Sequence, residues 1–201
     1  GKIYGLLGEN GSGKTTWMKM VACLTKPGRG EILYEGHPIG WRDKASIAYM
    51  ATEPFFYDFM KVSDVGEYYE AFFNDFDRKK YEETTKEMGL EPDMKVRNFS
   101  SGMSAKLKLA ATLSRNAELY LLDEPLNGID YKAREEIISL ILEEADGENT
   151  FVISTHLLEE VESFIEYAIF FKDGHLADKV NLESERMKSG RSLTELYTDI
   201  L

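Results

Sequence analysis

A chain of 201 residues, of which 43% are hydrophobic, is long enough to bury the core of one substantial domain. Its 36 acidic and 24 basic residues give a net charge of -12 at pH 7, which excludes a general nucleic-acid-binding surface, so we expect no nucleic-acid partner. The single cysteine, Cys23, excludes an internal disulfide. No apolar run approaches the roughly 20 residues that a membrane-spanning helix needs, so we expect any membrane step to depend on a separate partner.

The chain opens with a strand, a glycine-rich loop and a helix. Residues 2–30, KIYGLLGENGSGKTTWMKMVACLTKPGRG, contain a short apolar strand and a helix predicted from about Lys14 to Leu24. EILYEGHPIGW, residues 31–41, predicts a strand, a turn and a second strand. SIAYMAT, residues 46–52, predicts a further strand that ends near Glu53 and Pro54.

The middle of the chain is aromatic, acidic and helical in pattern, with a predicted break at GLEPD, residues 89–93. Strands and helices then alternate again: the strand in AELYLLDEP, the helix YKAREEIISLILEEA, the strand in TFVISTH, a helix, the strand YAIFFKDG and a C-terminal helix. GENGSGKT, residues 8–15, matches a phosphate loop between the first strand and the first helix, and strands alternate with helices on either side of the helical region. We therefore predict an α/β fold, a P-loop NTPase with a mainly parallel sheet core, residues 1–54 and 116–201, and an inserted helical subdomain, residues 55–115.

The loop GENGSGKT follows a strand and opens a helix, which is the context that the G-x-x-x-x-G-K-[ST] phosphate loop requires. Its glycines let backbone N–H groups turn toward a polyphosphate, and the helix start adds unpaired donors. We predict that Lys14 reaches the β- and γ-phosphates and assists catalysis, and that Thr15 binds magnesium. The alternative is a glycine-rich turn with a coincidental Gly-Lys-Thr. The predicted phosphate-binding residues are Gly8, Glu9, Asn10, Gly11, Ser12, Gly13, Lys14, Thr15 and Thr16.

The apolar strand LYLL, residues 119–122, runs into two carboxylates, Asp123 and Glu124, at the edge where open α/β sheets place their ligands. Asp123 fits the magnesium-holding role of a Walker B aspartate, and Glu124 fits a catalytic base that deprotonates an attacking water. The alternative is that the pair begins a turn and the next helix. His156 ends another apolar strand, so we expect it at the same edge, as a donor to the γ-phosphate or the attacking water, rather than as a structural histidine.

These motifs together resemble the nucleotide-binding subunit of an ATP-binding cassette (ABC) transporter over essentially the whole chain. His156 matches the switch histidine of that family, and PLNGID, residues 125–130, resembles its D-loop, with Asp130 at the end. The resemblance implies ATP and Mg2+ as cofactors and ATP hydrolysis coupled to transmembrane transport. It also implies a cytoplasmic location, peripheral on the cell membrane, beside a separate transmembrane permease.

FSSGM, residues 99–103, occupies the position of the family's L-S-G-G-Q signature. In the family, two subunits meet head to tail. The resemblance therefore implies that Ser100, Ser101, Gly102 and Met103 close over the ATP held by Lys14 of a second ABC subunit, in a homodimer or a heterodimer. Binding would close this dimer, and hydrolysis with product release would reopen it and drive the membrane subunit.

Three departures from the family pattern are visible. Ser101 replaces the first signature glycine, which is acceptable where its φ angle is negative, and Met103 replaces the glutamine. Thr52, or Glu53 if the loop shifts, stands where a Q-loop glutamine would meet magnesium and couple to the membrane partner. The chain begins almost at the phosphate-loop strand, whereas the family usually carries an earlier β-rich segment with an aromatic that stacks on adenine. We therefore expect adenine recognition to be incomplete.

Residues 70–110 are most similar to a bacterial ABC-2 exporter-type group related to bacitracin and lantibiotic systems. The aromatic residues Phe55, Phe56, Tyr57 and Phe59 fit either a dock for a coupling helix of the membrane subunit or core packing. Two other functions stay open: a soluble ABC-type ATPase that acts on ribosomes or DNA, and a nucleotide-dependent regulator with low turnover.

Overall fold

A computed structural model describes residues 1–53, 55–145 and 147–201. The strands of these residues are β1 (Ile3–Leu7), β2 (Leu33–Tyr34), β3 (His37–Pro38), β4 (Ile47–Met50), β5 (Leu119–Asp123), β6 (Thr150–Thr155), β7 (Tyr167–Lys172) and β8 (His175–Asn181). The α-helices are α1 (Lys14–Val21), α2 (Val62–Phe72), α3 (Arg78–Glu87), α4 (Ser101–Leu113), α5 (Tyr131–Glu144), α6 (Leu158–Val161), α7 (Leu182–Ser189) and α8 (Leu193–Ile200). Within this described part, no helix combines the length and apolar character needed to cross a membrane.

The central sheet has the strand order β4-β5-β6-β1-β7-β8, and only the last pair, β7 with β8, is antiparallel. The predicted mainly parallel α/β fold is confirmed. β8 and α7 were not predicted, because most residues of β8 are exposed and show no apolar alternation. Its pairing follows instead from the tight turn at Asp173 and Gly174, which both adopt positive φ angles, 49° and 77°.

Parallel pairing sets where the strands deliver their polar residues. β1 lies between β6 and β7, and β5 lies on the other side of β6. The register aligns Leu7 with Thr155 and Asp123 with Ser154, so β1, β5 and β6 end at one edge of the sheet. The phosphate loop, the carboxylate pair and His156 therefore leave the sheet side by side, as predicted.

The helices α2 and α3 pack around a hydrophobic cluster of their own, separate from the main core over the sheet. α4 belongs to both, because Leu107 and Ala110 face that cluster whereas Leu109 and Leu113 face the main core. α4 is thus the element through which the helical part and the sheet contact each other. The proposed boundaries at residues 54 and 115 stay a prediction, and Pro54 lies outside the described residues.

Arg115, just after α4, ties the helical part to the edge strand of the sheet. Its side chain is buried, and the guanidinium donates hydrogen bonds to both carboxylate oxygens of Asp75, at 3.0 and 3.2 Å for Nε. It also donates to the carbonyl oxygen of Ile47 at 2.9 Å and lies 4.2 Å from the ring centre of Phe73. A charge buried this deeply is tolerated because all sides of the fork are paired.

Candidate nucleotide-binding site

The loop between β1 and α1 has the backbone geometry of an anion cradle. Gly11 and Gly13 adopt φ angles of 85° and 106°, which favour glycine, and Gly13 directly precedes α1. No acidic residue lies in the first turn of α1, so the positive end of the helix dipole faces the loop without a competing charge. At Gly8 a side chain has no room, since a Cβ would lie 2.3 Å from the carbonyl oxygen of Phe171.

Lys14 occupies the centre of this cradle. Its ammonium donates to the carbonyl oxygens of Gly8 at 2.7 Å and Glu9 at 3.1 Å, and it lies 3.8 Å from Oε1 of Glu124. Burial lowers the pKa of Lys14, whereas the charges of Glu124 and Asp123 act in the opposite direction. The side chain is therefore held at the end of the loop, next to the predicted catalytic carboxylate.

Asp123 is completely buried at the end of β5. The hydroxyl of Ser154 donates to its Oδ1 at 2.5 Å, and the hydroxyl of Tyr49 donates to its Oδ2 at 3.3 Å. Burial, and next to it the charge of Asp123, raises the pKa of Tyr49, which keeps this phenol a hydrogen-bond donor. Neutral donors on both oxygens fix the orientation of the carboxylate.

Glu124 has an unusual backbone. Its φ angle is 50°, in the left-handed region that disfavours a side chain, and its N–H donates to the carbonyl oxygen and to the hydroxyl of Ser154, at 3.1 and 3.0 Å. This turn points the carboxylate at His156, whose Nδ1 lies 2.9 Å from Oε2. Glu124 therefore contacts the two other residues that we predicted to be catalytic, His156 and Lys14.

Ser154 was missed by sequence reasoning although it contacts both carboxylate residues. The signal was a hydroxyl inside an otherwise apolar strand, but its partner becomes visible only when β6 is placed beside β5 in the observed register. Ser154 binds Asp123 through its side chain and supports the strained turn at Glu124 through its backbone and side chain.

These elements enclose a cleft of about 420 Å³ at the edge of the sheet. It is lined by Asn10, Gly11, Gly13, Lys14, Thr15, Thr16, Thr52, Glu53, Glu124 and Asn127. The structure thus brings most of the predicted phosphate-binding residues to one cavity. Asn127 was not predicted, because its place in the cleft depends on the turn that follows Glu124. Asp123 lies beneath the cleft rather than in its lining.

The residues at the Q-loop position are engaged with neighbours on both sides. The hydroxyl of Thr52 donates to the carbonyl oxygen of Asp123 at 3.2 Å. Glu53 forms an ion pair of 2.9 Å with Lys19 of α1, and the hydrogen bond from this lysine lowers the pKa of Glu53. Thr52 and Glu53 both line the cleft, so the prediction that one of them acts near a bound magnesium ion stays open for both residues.

The donor set suits magnesium. Mg2+ prefers oxygen ligands and keeps several waters, so it usually takes one or two protein oxygens together with substrate phosphates. Thr15 offers a hydroxyl in the cleft, and Asp123 offers a carboxylate beneath it. No cluster of three or more acidic, histidine or cysteine side chains suited to a metal occurs among the described residues.

The predicted signature residues lie outside the cleft of their own chain. Ser100 caps α4, and its hydroxyl accepts a hydrogen bond from the N–H of Met103 at 3.2 Å. Ser101 is exposed and has a negative φ angle, the condition under which a serine replaces the glycine without strain. Gly102 is buried against α5, where a Cβ would lie 3.1 Å from the Cβ of Ala133.

Asp130 has an identifiable structural role within its own chain. It is the N-cap of α5, and its Oδ1 accepts a hydrogen bond from the N–H of Ala133 at 3.0 Å, which lowers the pKa of Asp130. Its other carboxylate oxygen lies 3.4 Å from where a Cβ of Gly102 would be. The predicted D-loop therefore packs against the predicted signature inside one subunit.

The loop after β1 and the buried aspartate at the end of β5 define a P-loop nucleotide-binding domain. A family model described as "ABC transporter" matches residues 1–127. The chain belongs to the ABC transporter family, as its motifs predicted.

Similar proteins agree with this membership. The chain is 34% identical over 193 residues to the uncharacterized ABC transporter ATP-binding protein YcbN of Bacillus subtilis, covering 92% of this chain and 62% of that protein. It is 33% identical to the bacitracin transport ATP-binding protein BcrA of Enterococcus faecalis, covering 97% of this chain and 65% of that protein. The lantibiotic transport ATP-binding protein SrtF of Streptococcus pyogenes is 30% identical, with coverage of 99% and 85%.

The predicted similarity to bacitracin- and lantibiotic-type ATPases is confirmed at these identities. The chain spans less than two thirds of the length of YcbN and BcrA. A solved ATP-binding subunit of an ABC transporter has the same fold, with a TM-score of 0.85 at 24% identity, covering 99% of this chain and 88% of that one.

Proposed function

We propose that this chain binds and hydrolyses ATP as the nucleotide-binding subunit of a membrane transporter. The observation that carries the proposal is the contact of the Glu124 carboxylate with His156 on one side and Lys14 on the other, at the edge of the nucleotide cleft. A regulator that only binds nucleotide needs the cradle around Lys14 but has no use for a carboxylate poised beside it. Hydrolysis needs both, since water must lose a proton as it attacks the γ-phosphate.

The chemistry divides among residues already in place. Lys14 exchanges its bonds to loop carbonyls for bonds to β- and γ-phosphate oxygens, and the loop N–H groups bind the same phosphates. Glu124 accepts the proton of the attacking water through its carboxylate, while His156, held by Glu124 through Nδ1, offers its other ring nitrogen to the γ-phosphate. A bound Mg2+, held by Thr15 and Asp123, would neutralise charge on the phosphates.

A single copy leaves the cleft open on one side. Among the described residues, the cleft is lined by the loop, the start of α1, the Q-loop position and the turn after β5, whereas Ser100 and Ser101 are exposed outside this lining, at the start of the 13-residue helix α4. The first turn of α4 contains no acidic residue, so its N–H groups and dipole suit a phosphate. We infer a head-to-tail dimer in which the signature of each copy covers the nucleotide of the other.

Replacing Ser101 by aspartate tests this dimer without disturbing the monomer. A carboxylate in the first turn of α4 stabilises the isolated helix by about 0.3–1 kcal/mol, but in the dimer it would face the γ-phosphate of the partner. We expect the Ser101→Asp variant to bind Mg-ATP with unchanged affinity, to stay monomeric in sedimentation with ATP, and to release phosphate at least 10-fold more slowly.

Ser101→Asn is the matched control, because it has the same shape without the charge and should dimerise with ATP. The proposed arrangement would be wrong if Ser101→Asp dimerised and hydrolysed ATP like the wild type. Gly102 is less suitable for this experiment, since a side chain there contacts Ala133 and disturbs the packing of α4 on α5.

The transport part of the proposal is supported by the names of the relatives and by an aromatic surface. Phe56 packs against the helical cluster, so core packing accounts for that residue. Tyr57 and Phe59 instead stack on each other, and their side chains are 66% and 73% exposed. Phe55 is exposed as well. These three rings suit a segment of a separate permease, which would place the chain on the cytoplasmic face of the cell membrane.

Two measurements separate the proposal from its alternatives. Copurification with a polytopic membrane protein, rather than with ribosomes or DNA, distinguishes a transporter subunit from a soluble ABC-type ATPase. Phosphate release by the full-length protein together with its membrane partner distinguishes an ATPase from a low-turnover regulator, which would bind ATP and dimerise without sustained release.

A further inference from the structure

Lys108 makes contacts across the two parts of the fold. It lies on α4, seven residues after Ser101, or about 10 Å along the helix axis at 1.5 Å per residue. Its ammonium donates to the carbonyl oxygen of Ala51 at 3.0 Å and to that of Thr52 at 2.6 Å. It also lies 5.7 Å from the ring centre of Phe55. The helix that carries the predicted signature therefore forms direct hydrogen bonds, through Lys108, to the backbone at the Q-loop position.

The environment of Lys108 makes this contact sensitive to position. Burial lowers the pKa of Lys108, opposed by the charges of Glu53 and Asp123. An ammonium that has given up part of its hydration depends on the few acceptors around it, and hydrogen bonds from a charged donor are roughly twice as strong as neutral ones. Separation of α4 from residues 51 and 52 would leave the ammonium charge of Lys108 partly desolvated and unpaired. This cost opposes a movement of α4 that residues 51 and 52 do not follow.

The contact continues into the nucleotide cleft. The hydroxyl of Thr52 donates to the carbonyl oxygen of Asp123, the residue that precedes the predicted catalytic base. Thr52 and Glu53 both line the cleft, together with residues of the phosphate loop. A continuous series of hydrogen bonds thus runs from α4 through Lys108 and Thr52 to the carboxyl end of β5.

We propose that Lys108 is a positioning residue that couples the signature end of α4 to the Thr52–Glu53 edge of the nucleotide cleft. The inference rests on the proposed function, because it assigns Lys108 a part in hydrolysis. The side chains of Thr52 and Glu53 are engaged with Asp123 and Lys19, so in this chain the coupling runs through a lysine on the helix and the backbone of the loop. Lys108 itself is not among the described residues that line the cleft.

Steady-state kinetics of the full chain give the first test. Lys108→Met keeps the hydrocarbon stem and removes the charge and the donors. We expect kcat to fall about 10-fold or more while KM for ATP changes less than about 2-fold, because misplacement of catalytic groups affects the transition state rather than ground-state binding. Lys108→Arg, which keeps the charge and donors, should restore part of kcat. Lys132→Met removes an 89% exposed lysine of α5 and should leave both constants unchanged.

Hydrogen–deuterium exchange gives a readout that does not require turnover. With Mg-ATP added, the wild type should exchange more slowly at residues 8–16, at residues 51–53 and, through Lys108, at residues 98–104. The Ser101→Asp background prevents dimer closure, so a response at residues 98–104 there is intramolecular. We expect Lys108→Met in that background to keep the response at residues 8–16 and to lose it at residues 98–104. Lys108→Gln replaces this variant if Lys108→Met does not fold.

The outcomes separate the two proposals. A normal response at residues 8–16 together with an unchanged response at residues 98–104 in the Lys108 variant would overturn the coupling role alone. A wild type that shows no response at residues 8–16 does not bind ATP in its loop, which would overturn the proposed function and this inference with it. Equal losses of kcat in Lys108→Met and Lys132→Met would also overturn the coupling role, because the loss would then follow from removing any positive charge rather than from the contacts of Lys108.

Discussion

Replacing Glu124 by glutamine will abolish steady-state phosphate release while ATP still brings two copies together. Glutamine keeps the shape of the side chain and can still contact His156, but it cannot accept the proton of the attacking water. Loss of a general base slows proton transfer by roughly 10²- to 10⁴-fold, so release should fall to the background of the assay. The ATP-bound dimer should accumulate, visible in sedimentation or gel filtration with Mg-ATP.

Glu159→Gln provides the matched control. Glu159 is exposed in α6, so this change removes one negative charge near the sheet edge without touching the cleft. It should hydrolyse ATP like the wild type. Undiminished release by Glu124→Gln would rule out Glu124 as the base, and loss of the dimer in the same variant would show that the carboxylate is needed for closure instead.

Replacing Arg115 by methionine will lower the free energy of unfolding substantially. The variant leaves the carboxylate of Asp75 without its charged partner and removes the side-chain donor to three carbonyl groups, those of Lys44, Ala45 and Ile47. Breaking a buried ion pair by removing one partner typically costs about 3–5 kcal/mol, and the partial exposure of Asp75 places this variant at the lower end of that range. Urea unfolding followed by circular dichroism should show this loss as a lower midpoint.

Arg191→Met tests whether burial is the cause. Arg191 also pairs with two carboxylates, Glu185 and Asp199, but it lies at the surface, where such pairs contribute about 0–1 kcal/mol. The double variant Arg115→Met with Asp75→Leu should recover part of the loss, because no charge is then left unpaired. Equal midpoints for the two single arginine variants would contradict the argument.

The sequence was sufficient for those features that depend on local pattern. The loop at residues 8–15, the apolar strands and the two carboxylates at the carboxyl end of β5 follow from motifs and periodicity. The meeting of Glu124 with His156 followed from one further step, that parallel strands end at one edge. α1 is shorter than predicted, because Cys23 adopts a left-handed conformation that a residue-by-residue propensity does not reveal.

The remaining features depend on how distant segments pack. Lys108 and Thr52, or Arg115 and Ile47, are separated by 56 and 68 positions in the chain, and neither pair has a spacing that indicates contact. Ser154 lies in a strand that reads as uniformly apolar apart from its end, so its bond to Asp123 depends on register alone. Such contacts are set by the three-dimensional arrangement of α4 and the sheet, which local pattern leaves undetermined.

The left-handed backbone at Glu124 has a consequence for tolerance to mutation. A φ angle of 50° favours glycine, asparagine and aspartate and penalises β-branched residues. A saturation scan of position 124 would therefore rank folded yield by backbone preference, and would rank turnover by the reach and basicity of the side chain. The two rankings disagree, since the residues that suit the backbone best are too short to extend between His156 and Lys14. The backbone conformation at position 124 therefore disfavours glutamate, whereas contact with both His156 and Lys14 requires a side chain of its length and charge.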